Sequence, residues 1–296
     1  MAPHCFVTTV DVGLADRLKV DLEGQGFILS QPPYTIFAAR KTALTCTLYQ
    51  SGKLTVQGKG MDEFIQFYLE PEILGRFELG YENIDLDLTP RIGVDESGKG
   101  DFFGPLCIAG VFAEGETVKQ LQAAGVRDSK KLSDGSSLKI AAEIKRLCAH
   151  HIVAISPIKY NELYSRFRNL NRLLAWGHAT VIEALVPRTH CRHVIVDQFA
   201  SEHLVEEALE RKKITCDLRQ RPRAEADLVV AAASILARAA FLEGLERLGK
   251  EAEISLPKGG ASPQVIKAGK IFIEKQGQES LPQIAKMHFK TLDSIL

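Results

Sequence analysis

In Gly93-Val94-Asp95-Glu96-Ser97-Gly98-Lys99-Gly100-Asp101-Phe102-Phe103-Gly104-Pro105 an apolar run leads into two adjacent carboxylates, then a lysine between two glycines. Successive side chains on a strand point to opposite faces. Asp95 and Glu96 therefore share a site only if regular strand geometry stops at Glu96, which Gly98 and Gly100 permit. Glycine lets backbone approach a ligand closely, and Lys99 suits a phosphate as a point charge. A solvated acidic hairpin has the same residue pattern, so this segment alone leaves both readings open. A P-loop is disfavoured, because Gly100 rather than Ser or Thr follows Lys99.

Further acids stand at two other places. Asp197 ends the apolar run His193-Val194-Ile195-Val196, and in open α/β sheets ligands collect at the carboxyl ends of strands. A helix cap for a segment starting at Ser201 is the rival role for it. Glu225 and Asp227 stand at the start of an Ala-rich stretch, where acids are common for dipole reasons alone. Together, two strand ends and a helix start can supply the oxygen ligands that a hard cation such as Mg²⁺ needs. Basic groups lie in local clusters: Lys130-Lys131; Arg166, Arg168 and Arg172 around Tyr164, Phe167 and Trp176; Arg211 to Lys213; Arg219 to Arg223; and Lys258 before Gly259-Gly260. Any one such cluster is an ordinary solvated face, but several beside a carboxylate site form a track for nucleic acid. The eight histidines form no HExxH pattern and are read as non-ligands, with His288 a weak exception.

The elements that must position these residues follow from periodicity. Before residue 80 the spacing predicts a strand over Cys5–Val10, a helix over Val12–Gly26, strands at Tyr34–Ala38, Leu44–Tyr49 and Leu54–Gln57, and a helix from Met61 to about Tyr68. Such an order implies a curved antiparallel sheet with helices on one face. Residues 80–90 lack a period and are read as a linker. Beyond it, strands are expected at Ile92–Asp95, Leu106–Phe112, Ile152–Ile155, Val194–Val196 and Ile214–Leu218. Helices are expected near Ser136–His150, Asn169–Leu185, Ser201–Lys212 and Ala224–Leu248, giving a mixed α/β sheet.

Composition sets the outer bounds. The 296 residues, 45% hydrophobic and 25% charged, fit about two globular domains and exclude a disordered or fibrous chain. Thirty-seven basic and thirty-seven acidic residues leave no bulk positive field, so any phosphate binding must be local. The six scattered cysteines read as free thiols in a reducing compartment. No apolar run is expected to approach the ~20 residues that span a bilayer, and no secretory signal is visible, so the reading is cytoplasmic.

Four motifs carry a family resemblance: Val94 through Leu106, Arg127-Asp128-Ser129-Lys130-Lys131-Leu132, Val194-Ile195-Val196-Asp197-Gln198-Phe199, and Ala231-Ala232-Ala233-Ser234-Ile235-Leu236-Ala237-Arg238. In this order and over most of residues 91–240 they resemble the type 2 ribonucleases H. The Gly-Lys-Gly turn and the N-terminal extension are similar to the ribonuclease HIII group within that family. The resemblance implies an RNase H-like mixed five-stranded sheet flanked by helices at 91–296, and a linker at 81–90. At 1–80 it implies a small α+β substrate-binding domain similar to the TATA-binding-protein fold. It implies cleavage of the RNA strand of RNA/DNA hybrids through two divalent ions, Mg²⁺ or Mn²⁺, leaving 5′-phosphate and 3′-hydroxyl ends. Asp95, Glu96 and Asp197 match the family's acids. The fourth is assigned to Glu225 with Asp227 in reserve, although the spacing to Ser234 fits neither without adjustment. Ser97, Gly98, Lys99, Gly100, Lys130 and Lys131 become the substrate-binding residues, and the chain is expected to be a monomer. A structure-selective nuclease on the same fold is the rival enzyme reading. A nucleic-acid-binding module with a decayed site is the rival without catalysis.

Overall fold

The computed structural model describes residues 5–75, 86–127, 129, 132–197, 203–221 and 224–296. The chain forms two compact units, Met1–Ile84 and Asp85–Leu296. The first contains β1 (Cys5–Thr9), α1 (Ala15–Gly24), β2 (Ile28–Ser30), β3 (Thr35–Lys41), β4 (Leu44–Tyr49), β5 (Lys53–Gly58) and α2 (Met61–Phe64), the last continued by wider π winding over Ile65–Leu74. Its sheet is antiparallel throughout, in the order β1-β5-β4-β3-β2. Alternation puts Phe37, Cys46, Leu48, Leu54 and Val56 on one face, where Leu18 and Leu22 of α1 and Phe64 and Ile65 cover them. The three-residue β2 has too little pattern to be read beforehand; its Ile28 lies exposed.

The second unit runs β6 (Arg91–Ser97), β7 (Leu106–Ala113), α3 (Gly115–Ala123), α4 (Asp134–Leu147), β8 (Ala149–Ile155), α5 (Pro157–Phe167), α6 (Leu170–Thr189), β9 (His193–Asp197), α7 (His203–Arg211), β10 (Asp217–Arg221), α8 (Leu228–Ala252), α9 (Pro263–Gln276) and α10 (Leu292–Ile295). The sheet order is β10-β9-β6-β7-β8, with β6, β7 and β8 antiparallel to one another and β6, β9 and β10 parallel. One face, with Ile92, Val94, Ile108 and Val196, packs under α5, α6 and α7, while Ala109 and Val111 of the other face pack under α3, α4 and α8. The sheet is thus buried on both sides, as its continuous apolar strands require.

Several boundaries differ from expectation, and three of them have a plain physical reason. The fifth strand is Asp217–Arg221, because Ile214 closes the end of α7 through its amide to Leu209. Helix α4 stops at Leu147 with Cys148 as its C-cap, and pairing of Ala149 with Phe112 draws Ala149 and His150 out of the expected helix and into β8. Helix α8 begins at Leu228, after a short 3₁₀ turn over Ala224–Ala226. Contrary to the expected absence of a long apolar run, α8 is long and apolar enough to cross a membrane (mean hydropathy 1.8), but most of that stretch is buried within the unit as the core helix against β6 and β7.

Candidate functional site

The pairing of β6 with β9 runs Ile92↔Val194, Gly93↔Ile195, Val94↔Val196, so the next step sets Asp95 beside Asp197 at two parallel strand ends. Both belong to the face under α8. Gly93 is in such close contact there that an added Cβ would stand 2.5 Å from the Val230 amide. Absence of a side chain at Gly93 is what lets the start of α8 reach the acidic strand ends. Asp197 accepts a bond from the Ala224 amide at 3.1 Å, and Glu225 follows in the same turn. Asp95 and Asp197 thereby stand at adjacent strand ends, with the turn that carries Glu225 tied to Asp197 through the Ala224 amide.

Glu96 is placed differently. β6 stays regular through Ser97, which pairs with Cys107, so strand geometry does not stop at Glu96 as expected. Its side chain turns to the opposite face, where His178 of α6 meets Oε2 at 2.9 Å and Lys99 donates to Oε1 at 2.7 Å. Glu96 and His178 are both nearly fully enclosed. Among the described residues no three His, Cys, Asp or Glu side chains converge at metal-holding spacing. Electrostatics joins what the faces separate. Burial, and then the Glu96 charge, push Asp95 up to about 7, although the Ser234 hydroxyl and the Glu96 amide favour its carboxylate. Burial also opposes the Glu96 charge, but His178 and Lys99 outweigh it and hold that carboxyl well below its ordinary range. Lys99 is likewise opposed by burial, yet Glu96, Asp95 and Asp197 keep its ammonium above the usual lysine value.

Asp227 is committed elsewhere. Its Oδ1 accepts the Val229 and Val230 amides as the N-cap of α8, and its Oδ2 takes the buried Arg91 Nε at 2.8 Å. The reserve for the fourth acid therefore has both oxygens engaged in structure. The N-cap of α8 is Asp227 and not Glu225.

The substrate-side turn is also built. Gly98 has φ +87°, and a Cβ there would stand 2.3 Å from the Pro105 carbonyl, so glycine is required. At Gly100 nothing lies within 4 Å of the Cβ position, and the residue is exposed beside exposed Lys99. Behind the turn, Asp101 accepts the Gly259 amide at 2.6 Å. Buried Lys286 donates to the carbonyls of Asp101, Phe103 and Gly104 at 2.8, 3.3 and 2.7 Å. Burial lowers Lys286 to about 8. Ser129 is tied to α8 through Ser234 at 2.8 Å and through Arg238 to its carbonyl; Lys130 and Lys131 lie outside the described residues. Sequence reasoning missed His178 and Lys286. His288 is packed, its ring 4.2 Å from that of Tyr164.

A family model described as Ribonuclease HII matches residues 92–292, and a domain of unknown function matches residues 6–76. Over 98% of its length the chain is 59% identical to the ribonuclease HIII of Protochlamydia amoebophila, of which it covers 96%. This chain belongs to the ribonuclease HIII group of the type 2 ribonucleases H. The ribonuclease HIII of Chlamydia felis is 52% identical over 98% of this chain and 97% of that one. Among solved structures, Bst-RNase HIII in complex with Mn²⁺ is similar with a TM-score of 0.67 at 26% identity, covering 99% of this chain and 98% of the other. Ribonuclease HIII enzymes are metal-dependent ribonucleases H, and this chain is accordingly an endoribonuclease of RNA/DNA hybrids.

Proposed function

We propose that Asp95, Glu96, Asp197 and Glu225 hold two divalent cations, Mg²⁺ or Mn²⁺, against the RNA strand of a bound hybrid. The observation that carries this is the β6–β9 register, which sets Asp95 beside Asp197 with the Glu225 turn bonded to the same carboxylate. The donor set is all oxygen, as hard cations prefer, and the cost of crowding buried carboxylates is visible in the raised Asp95. When bound, such a pair activates the attacking water and neutralises charge developing on the phosphate and the leaving 3′ oxygen. The chain's own work is placement. His178 and Lys99 keep Glu96 ionised at the end of β6, the strand that also carries Asp95. Lys99, with Lys130 and Lys131, meets phosphates. Backbone groups of Ser97 to Gly100 read the 2′-hydroxyl, which distinguishes RNA from DNA.

In the first unit, the sheet face turned away from α1 and α2 carries Arg40, Thr45, Thr47, Tyr49, Thr55 and Gln57, polar groups suited to gripping a duplex. The test is cleavage of a labelled RNA/DNA hybrid beside a branched DNA junction, with Mg²⁺ and with Mn²⁺. The hybrid should be cut to 5′-phosphate ends and the junction left whole, and Asp197→Asn should lose at least ~100-fold in rate, the scale on which removal of one transition-state-stabilising group acts. Near-unchanged turnover in that variant rejects the assignment.

A further inference from the structure

On the sheet face away from α8 lies a cavity of about 420 Å³ lined by the end of α5, the first half of α6 and α7. That volume falls in the ~300–1,000 Å³ range of small-ligand sites. Phe167 and Trp176 supply its aromatic surface, their ring centroids 6.3 Å apart and tilted by 43°. Arg166, Arg172, Arg211 and Lys212 supply positive charge, and Glu207 one negative group.

These cations are not equivalent. Arg166 pairs with Glu162, Arg211 with Glu207, and Lys212 with Glu183. Arg172 has no carboxylate partner among the described residues, and it stands in the first turn of α6, which contains no acid. A cation there is opposed by the helix dipole, and the neutral Asn169 side chain caps the helix by accepting the Arg172 amide at 3.2 Å, so the Arg172 guanidinium stands at a positive pole without an anion. A bare helix end is a common feature; an aromatic-walled cavity with an unneutralised guanidinium at its rim is not.

Position ties the cavity to the reaction. Gly177 of α6 packs on Ile108, the residue that pairs with Glu96, and His178 bonds Glu96 itself. Arg172 precedes His178 by six residues, about 9 Å along the helix at ~1.5 Å per residue. That is two to three nucleotide steps at ~3.4 Å per step.

We propose that this cavity is a nucleotide subsite, in which a base stacks on Trp176 and its phosphate is taken by the Arg172 guanidinium. The chemistry serves either a nucleotide of a strand that leaves the carboxylate site or a free mononucleotide. The proposal rests on the nuclease reading for its place beside the reaction but not for its readout.

Trp176 is the chain's sole tryptophan, so selectively excited emission reports on this cavity alone. The full chain is titrated in Mg²⁺ with a single-stranded oligodeoxynucleotide and, separately, with adenosine monophosphate. Saturable quenching by the oligonucleotide assigns the site to strands, and quenching by the mononucleotide alone assigns it to free nucleotides. In either case Arg172→Ala, an exposed position whose change leaves the fold intact by circular dichroism, should raise the midpoint about tenfold. Absence of quenching with both probes, or quenching indifferent to Arg172→Ala, overturns the proposal. Hybrid cleavage by the unaltered chain is measured in parallel. Cleavage without a tryptophan response removes the subsite alone, and a tryptophan response without cleavage removes the nuclease reading alone.

Discussion

Asp95 carries a charge that the folded chain disfavours, so its contribution to stability depends on pH. Its folded value of about 7 lies above the ordinary 3.8, so between these values the folded state binds more protons than the unfolded one. Its contribution is fully present below about pH 4 and is lost as pH rises through 7. Asp95→Asn, neutral and of the same shape, should therefore stabilise chelator-treated protein at pH 8 by roughly 1–3 kcal/mol. The gain should vanish toward pH 4 in urea unfolding, and a gain independent of pH would contradict the burial argument. A second pair of variants separates the two acids at the α8 entry. Asp227→Ala removes an N-cap and takes from the buried Arg91 guanidinium the nearer of its two carboxylates, so it should cost about 3 kcal/mol. Glu225→Gln should lower the urea midpoint less than Asp227→Ala does while cutting hybrid hydrolysis at least ~100-fold. Asp95 and Asp197 were legible in the sequence because each ends an apolar run. His178 was not, because its chemistry comes from Glu96, 82 positions away, and a histidine on an apolar helix face looks the same with or without that partner.

Among the elements, the turn Ser97–Gly104 is held from behind by a residue near the other end of the chain. Lys286→Met would leave the carbonyls of Asp101, Phe103 and Gly104 buried without their shared donor. We expect a loss of about 2–4 kcal/mol in unfolding experiments, as for other buried charged donors. A raised KM for hybrid should accompany it, since the turn that carries Lys99 loses its anchor; an unchanged KM would show that the turn holds its shape unaided. The strands β6, β7 and β9 could be read because both faces are covered and their apolar runs are continuous. β10, at the sheet edge, alternates instead, and the apolar Ile214 beside it packs as a loop residue. Helices α5 and α9 went unread although Ser156-Pro157 and Ser262-Pro263 announce them, a capping serine followed by proline at the first helical position. In both, an exposed polar face diluted the apolar period, and the cap was the stronger signal.

For the whole molecule the balance of thirty-seven positive and thirty-seven negative residues is the governing fact. A neutral chain binds a polyanion by assembling local clusters, and here these would come from both units: Lys99 and its neighbours beside the carboxylates, Arg40 and polar groups on the sheet of the first unit. The match of a separate family model to residues 6–76 agrees with a module that has its own core and its own open sheet face. If that face grips the duplex, a chain beginning at Asp85 should lose affinity for hybrid by at least ~10-fold near 0.1 M salt while its turnover at saturating substrate falls far less. The salt dependence gives a finer measure. Each phosphate contact contributes ~0.9 to the slope of log affinity against log salt, so the truncated chain should show a slope shallower by that amount for every contact the first unit makes. Affinity that falls with no change in slope would mean that the first unit acts through uncharged contacts, by stacking or hydrogen bonding alone. Affinity and slope both unchanged would remove it from substrate binding and leave the carboxylate unit to hold the hybrid by itself.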